Sequence, residues 1–258
     1  MKLSEVFAWT EQVDPRTKDW PLVSPIYHIL FIIFIYFFLV FYWIPRYMKN
    51  KPPYKLTTYI KCYNVFQVVV NSWLVREHIA AGWLKNIPFT CVVTTYSYEF
   101  PHYKFAQIIW WVLLLKIVDL TETIVFALRK KDKQISTHHV YHHVSTVLLL
   151  WVSVKYVSGE SSTFSTLLNC SVHMLMYTFY FLAAFGPRVQ AIISPFKQFV
   201  TIIQMVQLFA IIIYSLQILA PGCNTSIAFP TIILVNVAIN LYMFYKFYRK
   251  TYISKMKQ

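Results

Sequence analysis

The chain has 258 residues, of which 57% are hydrophobic and 13% charged, with a mean hydropathy of +0.49 and a formal net charge of +14. An ordinary soluble domain carries about 25% charged residues, so this composition excludes a soluble fold that hides its apolar side chains in one core. The basic surplus sits beside long apolar runs, where anionic lipid and an anionic cytosolic substrate are fitting partners and nucleic acid is not.

The amino-terminal stretch, about residues 1–25, contains acidic residues and no continuous apolar region, so a cleavable leader is not expected. The first predicted span, 26–44, holds only His28 as a titratable group and is close to the roughly 20 helical residues that cross a bilayer. Further spans are predicted at 59–75, 105–128, 139–157, 163–185, 198–219 and 227–247. The second is interrupted by Lys61, Asn64, Gln67 and Asn71, which suits a helix turned toward a bundle interior. All 12 prolines fall in connections or at span ends. The expected fold is an all-α integral membrane protein, with seven transmembrane helices in a single membrane-embedded domain over 1–258.

Lysine and arginine are enriched in cytoplasmic loops. The connections after spans 1, 3 and 5 and the tail at about 248–258 hold Arg46, Lys49, Arg129, Lys130, Lys131, Lys197, Arg249 and Lys250 among other basic residues, with Asp132 as the single acid. The opposite side mixes both signs, so the amino terminus is expected in the lumen and the carboxyl terminus in the cytosol. The four cysteines show no metal-type spacing. Cys91 and Cys223 both fall on the lumenal, oxidising side and are expected to form a disulfide. Asn224 begins a glycosylation acceptor on that side, too near span ends to be used.

Charged groups inside a membrane are costly and point to function by default. In HVYHH, at the cytosolic entrance to span 4, His139, His142 and His143 share an arc of roughly 100° on a helix, with His138 just outside it. In span 3, Lys116, Asp119, Glu122 and Thr123 share roughly 120°, an arrangement that also fits a structural ion pair. In span 5, Asn169, His173, Met176, Tyr177 and Tyr180 share roughly 100°, and Thr201, Gln204 and Gln207 form a polar stripe in span 6. Interhelical hydrogen bonding is the alternative reading of that last stripe.

The ordered set HVYHH, NCSVHMLMY and TIIQMVQ, with span 3 and its RKK exit, closely resembles the fatty acid elongase (ELO) family, and the resemblance extends to DPR at 14–16, Trp20–Pro25 and the YN at 63–64. One departure is that the family pattern in span 3 reads KxxExxDT, whereas here Asp119 precedes Glu122. The resemblance implies an endoplasmic reticulum enzyme whose seven helices enclose an acyl-chain tunnel. It condenses a long-chain acyl-CoA with malonyl-CoA to a 3-ketoacyl-CoA, CO2 and CoA. By motif, His142 is expected to take the acyl group as an acyl-imidazole, with His173 opposite it.

The residues make that chemistry reasonable on their own terms. A neutral imidazole is a nucleophile, and apolar surroundings disfavour its protonated form, so no cofactor and no metal are expected. Asn169, Gln204, Lys116 and His139 are candidate donors to an enolate, and His143 is a candidate for orienting its neighbours. Thr123, Tyr177, Tyr180 and Gln207 are candidate substrate contacts; Arg129, Lys130, Lys131, Lys197, Arg249 and Lys250 are candidates for the CoA phosphates. Expected partners are the two CoA substrates, membrane lipid and the other enzymes of the elongation cycle, with a homo-oligomer left open. The rivals are a di-iron desaturase or hydroxylase, which needs several histidine boxes where this chain has one, and a seven-helix receptor or transporter, for which no internal repeat is evident.

Overall fold

A computed structural model of the chain describes residues 13–83, 95–219 and 227–254. Among these, every regular element is helical, and eight helices are given labels: α1 (Tyr27–Met48), α2 (Thr57–Ala80), α3 (His102–Leu128), α4 (Thr137–Tyr156), α5 (Glu160–Ala183), α6 (Pro187–Ile193), α7 (Phe196–Ile218) and α8 (Ala228–Tyr248). All but α6 correspond to the predicted spans. Among the described residues, four helices are long and apolar enough to cross a membrane by length and composition: α1, α5, α7 and α8, the last counted through Ile253. Of the others, α2, α3 and α4 carry buried polar or charged residues along their length. Cys91, Cys223 and Asn224 lie outside the described residues.

The chain divides into two compact units. The first, Thr10–Leu56 with Thr95–Gly159, contains α1, α3 and α4. In α1 the buried residues Ile29, Ile33, Tyr36, Val40, Ile44 and Met48 recur every three or four positions, one stripe of a helix. Phe31, Phe34 and Phe41 on the other side are exposed, as expected for a face wetted by lipid. The predicted end of this span at Ile44 is corrected: the helix continues past Pro45 to Met48. Pro45 has no N–H for the carbonyl one turn back, and the segment before it, Phe38–Trp43, is wound as a π-helix. Ile44 and Met48 close on Ala127 near the end of α3.

The far ends of α3 and α4 are tied down by the segment before α1. Arg16 and Asp14, both with fully buried side chains, form a two-pronged ion pair (Nη2 to Oδ2 2.7 Å, Nε to Oδ1 3.0 Å). The same guanidinium donates to the carbonyls of Thr95 and His102, each at 3.1 Å, and to that of Ser158. Thr17 donates to the Val154 carbonyl (2.6 Å), and the indoles of Trp151 and Trp110 donate to Val23 (2.9 Å) and Pro21 (3.0 Å). Guanidinium geometry suits such multiple capture of acceptors, and it gives the DPR sequence a structural purpose.

The second unit contains α2, α5, α6, α7 and α8. Its α2 is inside out by the standards of a soluble protein. Asn64, Gln67, Asn71 and His78 are buried, while Val65, Phe66, Val69 and Trp73 are exposed. That inversion is what lipid as solvent selects, and it fulfils the expectation that the polar residues of this helix face an interior. The polar side joins α5: His78 Nε2 lies 2.9 Å from Thr166 Oγ1, the Trp83 indole donates to Thr163 (2.9 Å), and Tyr63 packs edge-on against Tyr177. Helices α7 and α8 are linked where Gln198 donates to the Tyr248 hydroxyl at 2.7 Å. Gly186, at φ 107°, makes the left-handed turn that separates α5 from α6.

Candidate active site

The histidine cluster is set by a helix start. Ser136 has extended dihedrals, and its hydroxyl accepts from the His139 backbone N–H at 3.2 Å, so α4 begins with an N-cap. That register puts His139 in the first turn and brings His142 and His143 one turn later. The rings of His139 and His143 lie 4.2 Å apart by centroid, and those of His142 and His143 5.6 Å apart. The shared arc expected from spacing is therefore present. At the end of α3, Lys130 adopts φ 54° and the Lys131 N–H returns to the Phe126 carbonyl (2.9 Å), which turns the chain sharply back toward α4.

Helix α3 supplies the opposing charges. Lys116 Nζ lies 3.0 Å from Asp119 Oδ2, with both side chains buried, so the ion pair anticipated as one reading of this cluster is formed. One turn on, Glu122 Oε2 lies 3.9 Å from His143 Nε2. Thr123, fully buried, has its hydroxyl 2.9 Å from His139 Nε2, and it accepts from the Tyr36 hydroxyl at 3.1 Å. Tyr36, 2% exposed on α1, is absent from the residues named by sequence. Its only advance signal is a hydroxyl placed among the aromatic side chains of an apolar helix, because its partner is 87 residues away.

In the second unit, α5 places Asn169 half-buried and His173, Met176 and Tyr177 buried, with His173 and Tyr177 in edge contact at 5.6 Å. Tyr180, expected on that face, is 39% exposed at its margin, although its ring still touches Tyr177. From α7, Gln204 reaches the Met176 sulfur at 3.1 Å and Gln207 is buried. Thr201 is buried with its hydroxyl 3.3 Å from that of Tyr252. Asn64, Gln67 and Asn71 of α2 form a polar stripe in this unit that sequence noted without assigning a role. Of the basic candidates, Lys130, Lys131, Lys197, Arg249 and Lys250 are exposed and Arg129 is half-buried. They fall in both units, Arg129 to Lys131 in the first and the other three in the second.

The first unit thus presents imidazoles, two carboxylates, an ammonium and a buried hydroxyl relay on three helices, groups suited to nucleophilic and acid–base chemistry. Comparison with known proteins gives that chemistry a context. The family model described as "ELO: GNS1/SUR4 family" matches residues 21–258. The chain is 38% identical over 240 residues to a very long chain fatty acid elongase of Aedes aegypti, covering 93% of this chain and 67% of that protein. It is 34% identical over 243 residues to very long chain fatty acid elongase 7 of Drosophila melanogaster (94% and 74% covered) and 32% identical over 254 residues to very long chain fatty acid elongase 4 of Homo sapiens (96% and 79% covered). With the model match spanning nearly the whole chain, this protein belongs to the ELO family.

Proposed function

We propose that the chain is a membrane-embedded acyltransferase that condenses a long-chain acyl-CoA with malonyl-CoA, the first step of fatty acid elongation. The observation that carries the reading is the gathering of His139, His142 and His143 on one face of α4, beside Glu122 and Thr123 of α3. The names of its relatives support the substrate class.

In this reading an imidazole nitrogen of His142 attacks the thioester carbonyl. The C–N bond forms, the C–S bond breaks, and CoA leaves with the proton that the ring gives up. Malonyl-CoA then loses CO2 to give an enolate. Its carbon attacks the acyl carbon, the C–N bond breaks, the imidazole takes back a proton from water, and the product is a 3-ketoacyl-CoA two carbons longer. Lys116 and His139 supply positive or donor character for the enolate, with Asn169 and Gln204 as further donors and His173 as a second participating imidazole. Thr123 fixes the His139 ring, and Asp119 fixes Lys116. His142 carries the bond changes and water supplies the one proton consumed overall, so the proposed reaction is written without a cofactor.

The same proposal includes seven membrane crossings with the amino end lumenal, the carboxyl end cytosolic, residence in the endoplasmic reticulum and an enclosed acyl tunnel. It also places the exposed basic residues at the CoA phosphates and expects association with the other enzymes of the cycle. The test is to supply labelled malonyl-CoA and a panel of acyl-CoAs to microsomes bearing wild type or His142→Ala. Label in a product longer by two carbons with wild type alone supports the proposal; equal product from the variant, or none from wild type with any acyl-CoA, defeats it.

A further inference from the structure

We propose that Glu122, His139 and His143 together form a binding site for a divalent transition cation such as Zn2+ or Co2+. Each of the three offers one ligand atom, and these atoms lie within 4.8 Å of one another. The closest measured pair, Glu122 Oε2 and His143 Nε2, is 3.9 Å apart, and a small closure brings both to the ~2 Å bond lengths of a shared ion. Two imidazoles and a carboxylate are a ligand set suited to such ions, with water completing the shell.

Three further features favour an ion here. The ligands come from two helices whose ends are fixed by the Ser136 cap and the Lys130 turn, so the site is preorganised. Thr123 contacts the His139 ring, the kind of outer contact that commonly orients a metal-bound histidine. With the Glu122 side chain 13% exposed, the way in is not sealed.

The inference rests on this geometry and not on the elongase reading, so metal binding and condensing activity fail separately. An ion here occupies side chains next to His142, which makes it an inhibitor of the proposed reaction and not its cofactor. The test uses tag-free full-length protein in detergent, stripped with a chelator and titrated with Co2+, whose visible ligand-field absorption reports nitrogen and oxygen coordination. One saturable equivalent, displaced by Zn2+, is expected in wild type and in His142→Ala. Glu122→Gln and His143→Ala are each expected to abolish it, with size-exclusion profiles confirming that they remain folded. No saturable band in wild type, or a band that survives both of these substitutions, or one lost in His142→Ala, overturns the proposal.

Discussion

Replacing Thr123 by valine probes the link between α1, α3 and the histidine face with almost no change of shape. The substitution removes a hydroxyl that accepts from Tyr36 at 3.1 Å and meets His139 Nε2 at 2.9 Å, at a position with no solvent exposure. The Tyr36 hydroxyl, on a residue 2% exposed, is left without that partner, which costs about 1–3 kcal/mol, and the lost contact to His139 adds about 0.5–1.5 kcal/mol. Together these amount to roughly 2–4 kcal/mol, or about 5–15 °C in melting temperature for a chain of this size. The assay is thermal unfolding in detergent of Thr123→Val, Tyr36→Phe and the double variant, with turnover measured alongside. Because removing both partners of a buried hydrogen bond costs far less than removing one, the double variant should melt above Thr123→Val. Turnover should fall in both variants that carry valine, since the His139 ring loses its anchor. A valine variant that melts and turns over like wild type, or additive losses in the double variant, would refute the relay.

Arg16→Ala should destabilise the first unit by about 3–5 kcal/mol, because the fully buried Asp14 carboxylate loses its counterion; adding Asp14→Ala should restore part of the loss, and a neutral Arg16→Ala would contradict the assignment. Glu122→Asp draws the carboxylate back by one methylene, about 1 Å, from a side chain 3.9 Å from His143. Turnover is expected to drop by about 10²-fold with the melting temperature held, and unchanged turnover would remove Glu122 from the chemistry. Lys116→Met removes the ammonium that pairs with the buried Asp119 carboxylate and should lower stability by about 3–5 kcal/mol, an effect that Lys116→Met/Asp119→Leu should largely reverse.

Most of the helices were legible because lipid leaves a plain mark on sequence: runs long enough to cross, with prolines at their ends. Local geometry was legible too. The spacing of His139, His142 and His143 acts within about one turn, and its consequence follows from helical rotation. The buried stripe of Asn64, Gln67 and Asn71 was anticipated because polar residues in an apolar helix have to face something other than lipid. What escaped is long-range or depends on small departures from ideal helix. Tyr36 meets Thr123 across 87 positions, and Arg16 meets Ser158 across 142; no window of sequence contains either pair. The π-helical stretch at Phe38–Trp43 carried α1 beyond its expected end, and Tyr180 stands at the margin of its helix face, where a few tens of degrees decide exposure.

The direct test of the covalent step is mass spectrometry of purified protein incubated with a long-chain acyl-CoA alone, in the presence of a chelator and without malonyl-CoA. The expected outcome is an acyl mass on the peptide that contains His142, appearing with stoichiometric release of CoA and discharged when malonyl-CoA is added. Acyl groups found on another residue, or CoA release that begins only when a transition metal is restored, would contradict an imidazole nucleophile that works without a metal.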